Sequence, residues 1–124
     1  MQWSVRMPPM AGESFRVAGR AGANDSVHIL CVQGAITYAT SPAFQEAILA
    51  ASAPRLILDM TEVSSVDSTS IGALVRAFVS CNRSGRKLAL VGLNHRVRNV
   101  LQITGVDPLF DIYATIPEAE SALA

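Results

Sequence analysis

Between Leu56 and Val79 the chain reads LILDMTEVSSVDSTSIGALVRAFV, and the change of period inside that stretch decides the fold class. Leu56, Ile57 and Leu58 form an unbroken apolar run closed by Asp59, as a strand buried on both faces would. A polar, Ser-rich connection holding Val63 and Val66 follows. Ile71, Leu74, Val75, Phe78 and Val79 then recur at i, i+3, i+4, i+7 and i+8, which is one face of an amphipathic helix. A buried strand feeding a helix through a polar turn is half of a βαβ unit, so parallel strands and an α/β domain are expected.

The turn between them has its own mechanics. Asp67 suits the N-cap, where a carboxylate accepts a free amide of the first helical turn. Val66 and Ile71 then fall at the two positions of a hydrophobic staple. Ser68, Thr69 and Ser70 lie on the first turn, so the helix is expected over Ser68–Cys81. A helix N-terminus tolerates a phosphate because its amides are unpaired and its dipole end is positive. The three hydroxyls are therefore candidate modification sites, and capping alone is the simpler reading of the same residues.

Around this stretch the remaining elements follow from periodicity and punctuation. Ser14 to Arg20 suits an edge strand, and 21–25 a turn. Val27 to Gln33, nearly continuous in apolar character, reads as a central strand antiparallel to the first. Gly34 to Thr40 is a connection, and Ser41 at the N-cap with Pro42 at the first helical position opens a helix whose apolar face is Phe44, Ala47, Ile48 and Ala51. Pro54 ends it before the strand Arg55–Asp59. Gly85 stops the next helix. Lys87 to Val91 is a strand, and a helix starting near Asn94 turns Val97, Val100 and Leu101 inward until Gly105. Leu109 to Tyr113 makes a last short strand. Thr115 and Glu118 have capping-box spacing, opening a final helix with Ala119, Ala122 and Leu123 apolar. The order β-β-α-β-α-β-α-β-α predicts a single α/β domain with a mixed sheet of about five strands and four helices. It would span residues 14–124, behind a flexible leader over residues 1–13.

Composition excludes several functions. Ten basic and ten acidic residues leave no net charge, which argues against a protein held to nucleic acid by phosphate neutralisation. No apolar run reaches the roughly 18 residues of a membrane helix, and the first residues lack the apolar core of a signal peptide. Cys31 and Cys81 have no motif spacing and read as free thiols in a reducing, cytoplasmic setting. There is no phosphate loop, zinc spacing or nucleophile elbow, so neither cofactor nor metal is implied. Asp59, Asp67, Ser68, His28 and His95 could be assembled into a hydrolase only by a geometry that the sequence does not display. His28 and His95 read as surface residues, and an enzyme is not expected.

Asp67-Ser68-Thr69-Ser70-Ile71-Gly72, after a strand ending Leu58-Asp59, resembles the signature of the STAS domain found in bacterial anti-sigma factor antagonists. The family pattern is Asp-Ser-Ser/Thr-Gly-aliphatic-Gly, and this chain departs from it at Ser70, where Gly is usual. Val32-Gln33-Gly34-Ala35-Ile36 matches the family's strand-Gly segment, with Thr37 where Asp is typical. The segments from Lys87 to Leu93 and from Leu101 to Tyr113 continue the match. The resemblance implies an anti-sigma factor antagonist that binds an anti-sigma factor serine kinase in a partner-switching pathway. It implies phosphorylation at Ser68, with Thr69 as second choice, and a docking surface of Asp67, Ser68, Thr69, Ser70, Ile71 and Gly72. Ser70 would place a side chain where the kinase approaches. The other role implied by the same resemblance is a subunit of a membrane lipid transporter that docks on its ATPase through this surface.

Overall fold

The computed structural model describes residues 15–123; the leader read at residues 1–13, Ser14 and Ala124 lie outside the described residues. Five strands form one sheet in the order β1-β2-β3-β4-β5: β1 (Arg16–Ala21), β2 (Val27–Ile36), β3 (Arg55–Val66), β4 (Lys87–Val91) and β5 (Asp111–Tyr113). β1 runs antiparallel to β2, and every other neighbouring pair is parallel. The helices are α1 (Ser41–Ala50), α2 (Ile71–Arg83), α3 (His95–Ile103) and α4 (Ile116–Leu123). The chain is the α/β domain, with a mixed five-stranded sheet and four helices, that the sequence predicts.

Alternation along the strands divides the core in two. In β4, Leu88 and Leu90 face one side and Ala89 and Val91 the other, as a period of two requires. The first side is covered by α1, α2 and α3 through residues such as Phe44, Leu74 and Leu101. The second is covered by α4, where Ala119 and Leu123 pack on Val27, Ile29 and Ile57. The central parallel pair is in register as Leu56–Leu88, Ile57–Ala89, Leu58–Leu90 and Asp59–Val91. Gly85 and Gly105 follow their helices at φ 75°, where a side chain would be strained, and the next amides bond back to Cys81 O at 2.8 Å and Leu101 O at 3.1 Å.

Several boundaries differ from the sequence reading. β3 does not stop at Asp59. It continues for seven residues through the segment expected to be a connection, with Met60, Val63 and Val66 all buried. β2 likewise runs on to Ile36, through the first part of the expected Gly34–Thr40 connection. The reason lies in the pairing: Cys31 opposes Asp59 but Gln33 opposes Glu62, and Gly34 opposes Val63 but Ile36 opposes Val66. Each step places one additional residue on β3, so inward side chains there are spaced by three and not two. Beyond Asp59, β4 has ended, and the side chain of Asn94 takes over: its Nδ2 donates to Val63 O at 3.0 Å and Ser64 O at 3.2 Å.

Three helices also differ in detail. Ser68–Ser70 is a 3-10 turn, and α2 proper begins at Ile71. The buried stripe of α2 is Ile71, Ala73, Leu74, Ala77 and Cys81, while Val75 and Phe78 lie at its margin and Val79 is 42% exposed. Ala73 and Ala77 are the reason: small residues let α1 close in, and Gln45 Nε2 donates to Ala73 O at 3.0 Å. At α1 the N-cap is Thr40 and not Ser41. In α4, Ala122 is exposed, and Glu118 bonds the Ala114 amide. β5 is confined to Asp111–Tyr113 because Asp107–Leu109 forms a 3-10 turn with Pro108 inside it.

Candidate functional site

Asp67 leaves the end of β3 in extended backbone, φ −82° and ψ 162°. Its amide donates to Ile36 O at 3.1 Å, closing the last rung of the β2–β3 ribbon. Its carboxylate turns forward: Oδ1 accepts from the Ser70 amide at 2.9 Å and from the Thr69 hydroxyl at 2.9 Å. This is the cap read from the sequence, and it satisfies an amide that the helix start leaves without an internal partner.

The same surroundings hold the Asp67 carboxyl below the usual carboxylate range. The Ser70 side chain contributes most, slight burial opposes it, and the Thr69 hydroxyl and the Ser70 and Tyr38 backbone add to the lowering. Ser70 Oγ lies buried near that carboxylate and completes no hydrogen bond among the described residues, so the bond that the geometry shows from this residue is the one from its amide.

The residues expected to form the docking surface divide by exposure. Asp67, Ser68 and Thr69 face outward, and Gly72 is partly exposed. Ser70 is 1% exposed and Ile71 is also buried, so these two support the turn from below. The side chain that replaces the family's Gly is turned into the protein and does not stand on the exposed face of the turn.

A second turn lies beside the first and was not singled out by sequence. Between β2 and α1, the Thr37 amide donates to Thr40 Oγ1 at 2.8 Å, and Thr40 Oγ1 donates to Ala35 O at 2.8 Å. The Thr40 and Ser41 amides both donate to Thr37 O, at 3.1 and 2.8 Å. This frame carries Tyr38 at its tip, 82% exposed. The legible signal was an aromatic residue set between two threonines three apart, just past a strand.

The other polar candidates are elsewhere. His28 pairs with Leu56 at the start of β3, whereas Ser68 follows its end, a separation of roughly 30 Å at the rise of a strand. Asp59 is occupied by Thr61, whose amide and hydroxyl reach Oδ1 at 3.1 and 2.6 Å. His95 is exposed at the start of α3. Cys81 is buried, which pushes its thiol pKa up against the opposing Arg86. Among the described residues no group of three or more His, Cys, Asp or Glu is placed to hold a metal ion. No helix among them is long and apolar enough to cross a membrane.

A mixed five-stranded sheet, with a capped Ser/Thr turn opening the helix after its central strand, defines a class of small α/β domains. Residues 20–119 match the family described as the STAS domain, and the chain belongs to that family. A Thermotoga neapolitana protein assigned as an anti-sigma factor antagonist is 42% identical over 65 residues, 52% of this chain. The chain spans only 58% of that relative's length. The anti-sigma-B factor antagonist of Listeria monocytogenes is 36% identical over 92 residues, 71% of this chain and 81% of the relative. Among solved structures, the crystal structure of an anti-sigma factor antagonist from Mycobacterium paratuberculosis matches with a TM-score of 0.79 at 26% identity, covering 91% of this chain and 97% of that one.

Proposed function

We propose that the chain is an anti-sigma factor antagonist in a cytoplasmic partner-switching pathway. It binds an anti-sigma factor serine kinase through the Asp67–Thr69 turn, and phosphorylation at Ser68 weakens that binding. The chain is the substrate of the phosphoryl transfer and not its catalyst. The Ser68 hydroxyl oxygen forms the new bond to the γ-phosphorus of the kinase's nucleotide, its proton is released, and the nucleoside diphosphate leaves.

The observation that carries this reading is the exposure of Ser68 on a turn fixed from both sides by Asp67. The similarity to anti-sigma-B factor antagonists over 71% of the chain supports it independently. A phosphate at Ser68 adds about 1.5 to 2 negative charges at an exposed helix start, so it alters the docking surface without entering the core.

The test is a titration of wild type, Ser68→Ala and Ser68→Asp against purified anti-sigma factor serine kinases of the source organism, with site mapping after incubation with ATP. Ser68→Ala is expected to bind as wild type and to accept no phosphate, and Ser68→Asp to bind at least ~10-fold more weakly. Equal affinity for wild type and Ser68→Asp, or phosphate only on Thr69 or Ser70, refutes the assignment. Copurification with a transporter ATPase in place of a kinase transfers the surface to the lipid-transporter role.

A further inference from the structure

We infer that Tyr38 is the aromatic anchor of the docking surface to which the Ser68 turn belongs. The inference rests on the partner-switching reading and extends it to a second segment of the chain.

Three observations converge on this residue. The first is exposure: Tyr38 is 82% exposed, a higher value than any other large apolar side chain exposed among the described residues. A single exposed aromatic is common and needs no explanation by itself. The second is rigidity. The Thr37–Thr40 turn is held by two side-chain bonds of 2.8 Å and by two amides on Thr37 O, so Tyr38 is presented on a fixed platform. A preorganised aromatic loses little freedom when a partner covers it. The third is position. Ile36 opposes Val66, and the Asp67 amide bonds Ile36 O, so the Tyr38 turn and the Ser68 turn leave the sheet side by side.

The surroundings of Tyr38 fit a patch that loses its water on binding. Ala39, Pro42 and Ala43 are exposed around it. From Ser26 to Gln45 the sequence contains no Asp, Glu, Lys or Arg, and a charge borders the patch at Asp67, whose carboxylate the Tyr38 backbone reaches. An exposed aromatic within a small apolar surround is the composition of an interface hot spot, and charged residues are depleted from interface centres. The partner that fits is therefore a kinase surface with an apolar recess for the ring. Phosphorylation then acts through more than repulsion: a dianion on Ser68 would have to be desolvated at the edge of an apolar contact.

Calorimetric titration of Tyr38→Ala, Tyr38→Phe and Ser68→Asp against a serine kinase that binds the wild-type chain tests the assignment. Ile103→Ala serves as control, since Ile103 is 75% exposed at the C-terminal end of α3, an element that carries neither turn. Tyr38→Ala is expected to bind at least ~10-fold more weakly, with an unchanged melting temperature; Tyr38→Phe to stay within about 3-fold, because the ring supplies the contact; and Ile103→Ala to bind as wild type. Oxidative footprinting of wild type is expected to show Tyr38 protected in the complex, a readout that requires no variant to fold. If Tyr38→Ala binds as wild type, or Tyr38 stays unprotected, while Ser68→Asp is weakened, the anchor is refuted and the partner-switching reading stands. If neither Ser68→Asp nor Tyr38→Ala changes binding, both fall.

Discussion

Replacing Asp67 tests the geometry of the acceptor turn more directly than any other single change. In Asp67→Ala the Ser70 amide loses its 2.9 Å side-chain acceptor and the Thr69 hydroxyl loses the same oxygen. Loss of an N-cap carboxylate costs about 0.5 to 2 kcal/mol. The turn is exposed, so water takes over part of the lost bonding, and a value of about 1 kcal/mol is expected. For a domain of this size that lowers the melting temperature by roughly 3–5 °C. Charge can be separated from capping with Asp67→Asn, which keeps an oxygen for the Ser70 amide. The Asp67 carboxyl is held below its ordinary value in the fold, so the unfolded chain binds the proton first as pH falls. The contribution of the charge is therefore complete above the unfolded value of about 4 and disappears as pH drops through the lower, folded value. Thermal melts followed by circular dichroism at pH 7 and near pH 2.5 measure the difference between wild type and each variant, which cancels the other carboxylates. The gap between wild type and Asp67→Asn should be present at pH 7 and close in acid. A gap that is absent at pH 7, or that persists undiminished in acid, refutes the contribution of the charge, and an unchanged melting temperature in Asp67→Ala refutes the cap as drawn.

Three further changes probe the support of the site. Ser70→Ala removes a buried hydroxyl that completes no hydrogen bond among the described residues yet helps to hold the Asp67 carboxyl down; the two effects oppose, so stability in urea melts should change by less than about 1 kcal/mol while Ser68 phosphorylation stays at the wild-type rate, and a loss above about 2 kcal/mol would show that the hydroxyl is bonded. Asn94→Asp keeps the oxygen that accepts from the Val97 amide at 2.8 Å but replaces the donor to Val63 O and Ser64 O. It should cost about 1–3 kcal/mol although Asp and Asn cap equally well, and a neutral result in urea denaturation would remove Asn94 as a tie between α3 and β3. Phe78 is only part-buried and meets Phe110 edge-on, centroids 5.6 Å apart at 74°, so Phe78→Ala should cost about 2 kcal/mol, below the 3–5 of a fully buried ring; a change under about 1 kcal/mol would show the contact to be idle.

What the sequence made legible was local chemistry and long-period pattern. The Asp67 cap, the Asn94 cap and the Gly85 and Gly105 stops all stand where their side chains or their lack of one placed them. The parallel pair of Leu56–Asp59 with Leu88–Val91 followed from two short apolar runs joined by a helical period. The second half of β3 was hidden because its inward residues, Met60, Val63 and Val66, are three apart, and a search for alternation rejects that spacing. The rotation of α2 was hidden because Ala73 and Ala77, which face inward, add little to a pattern drawn through large side chains. Tyr38 was hidden for a different reason. Its meaning comes from lying beside Ser68, and that proximity exists only once Ile36 has paired with Val66.

The two supernumerary residues of β3 bear on how the length of this chain can vary. Between Asp59 and Val66 the strand uses two residues more than β2 needs across from it. Deleting Thr61 would let Glu62 and Val63 follow Met60 in plain alternation, with Val63 still facing the helices and still opposite Gly34. The strand would lose a bend and the small turn that Thr61 makes with Asp59, while the unchanged β2 holds its tip where it is. Because Ile36 and Val66 would remain partners, the two turns beyond them would stay level. A shortening at this point is thus absorbed before the Tyr38 and Ser68 turns, whereas the same deletion between Leu56 and Leu58 would turn every following side chain to the wrong face of the sheet.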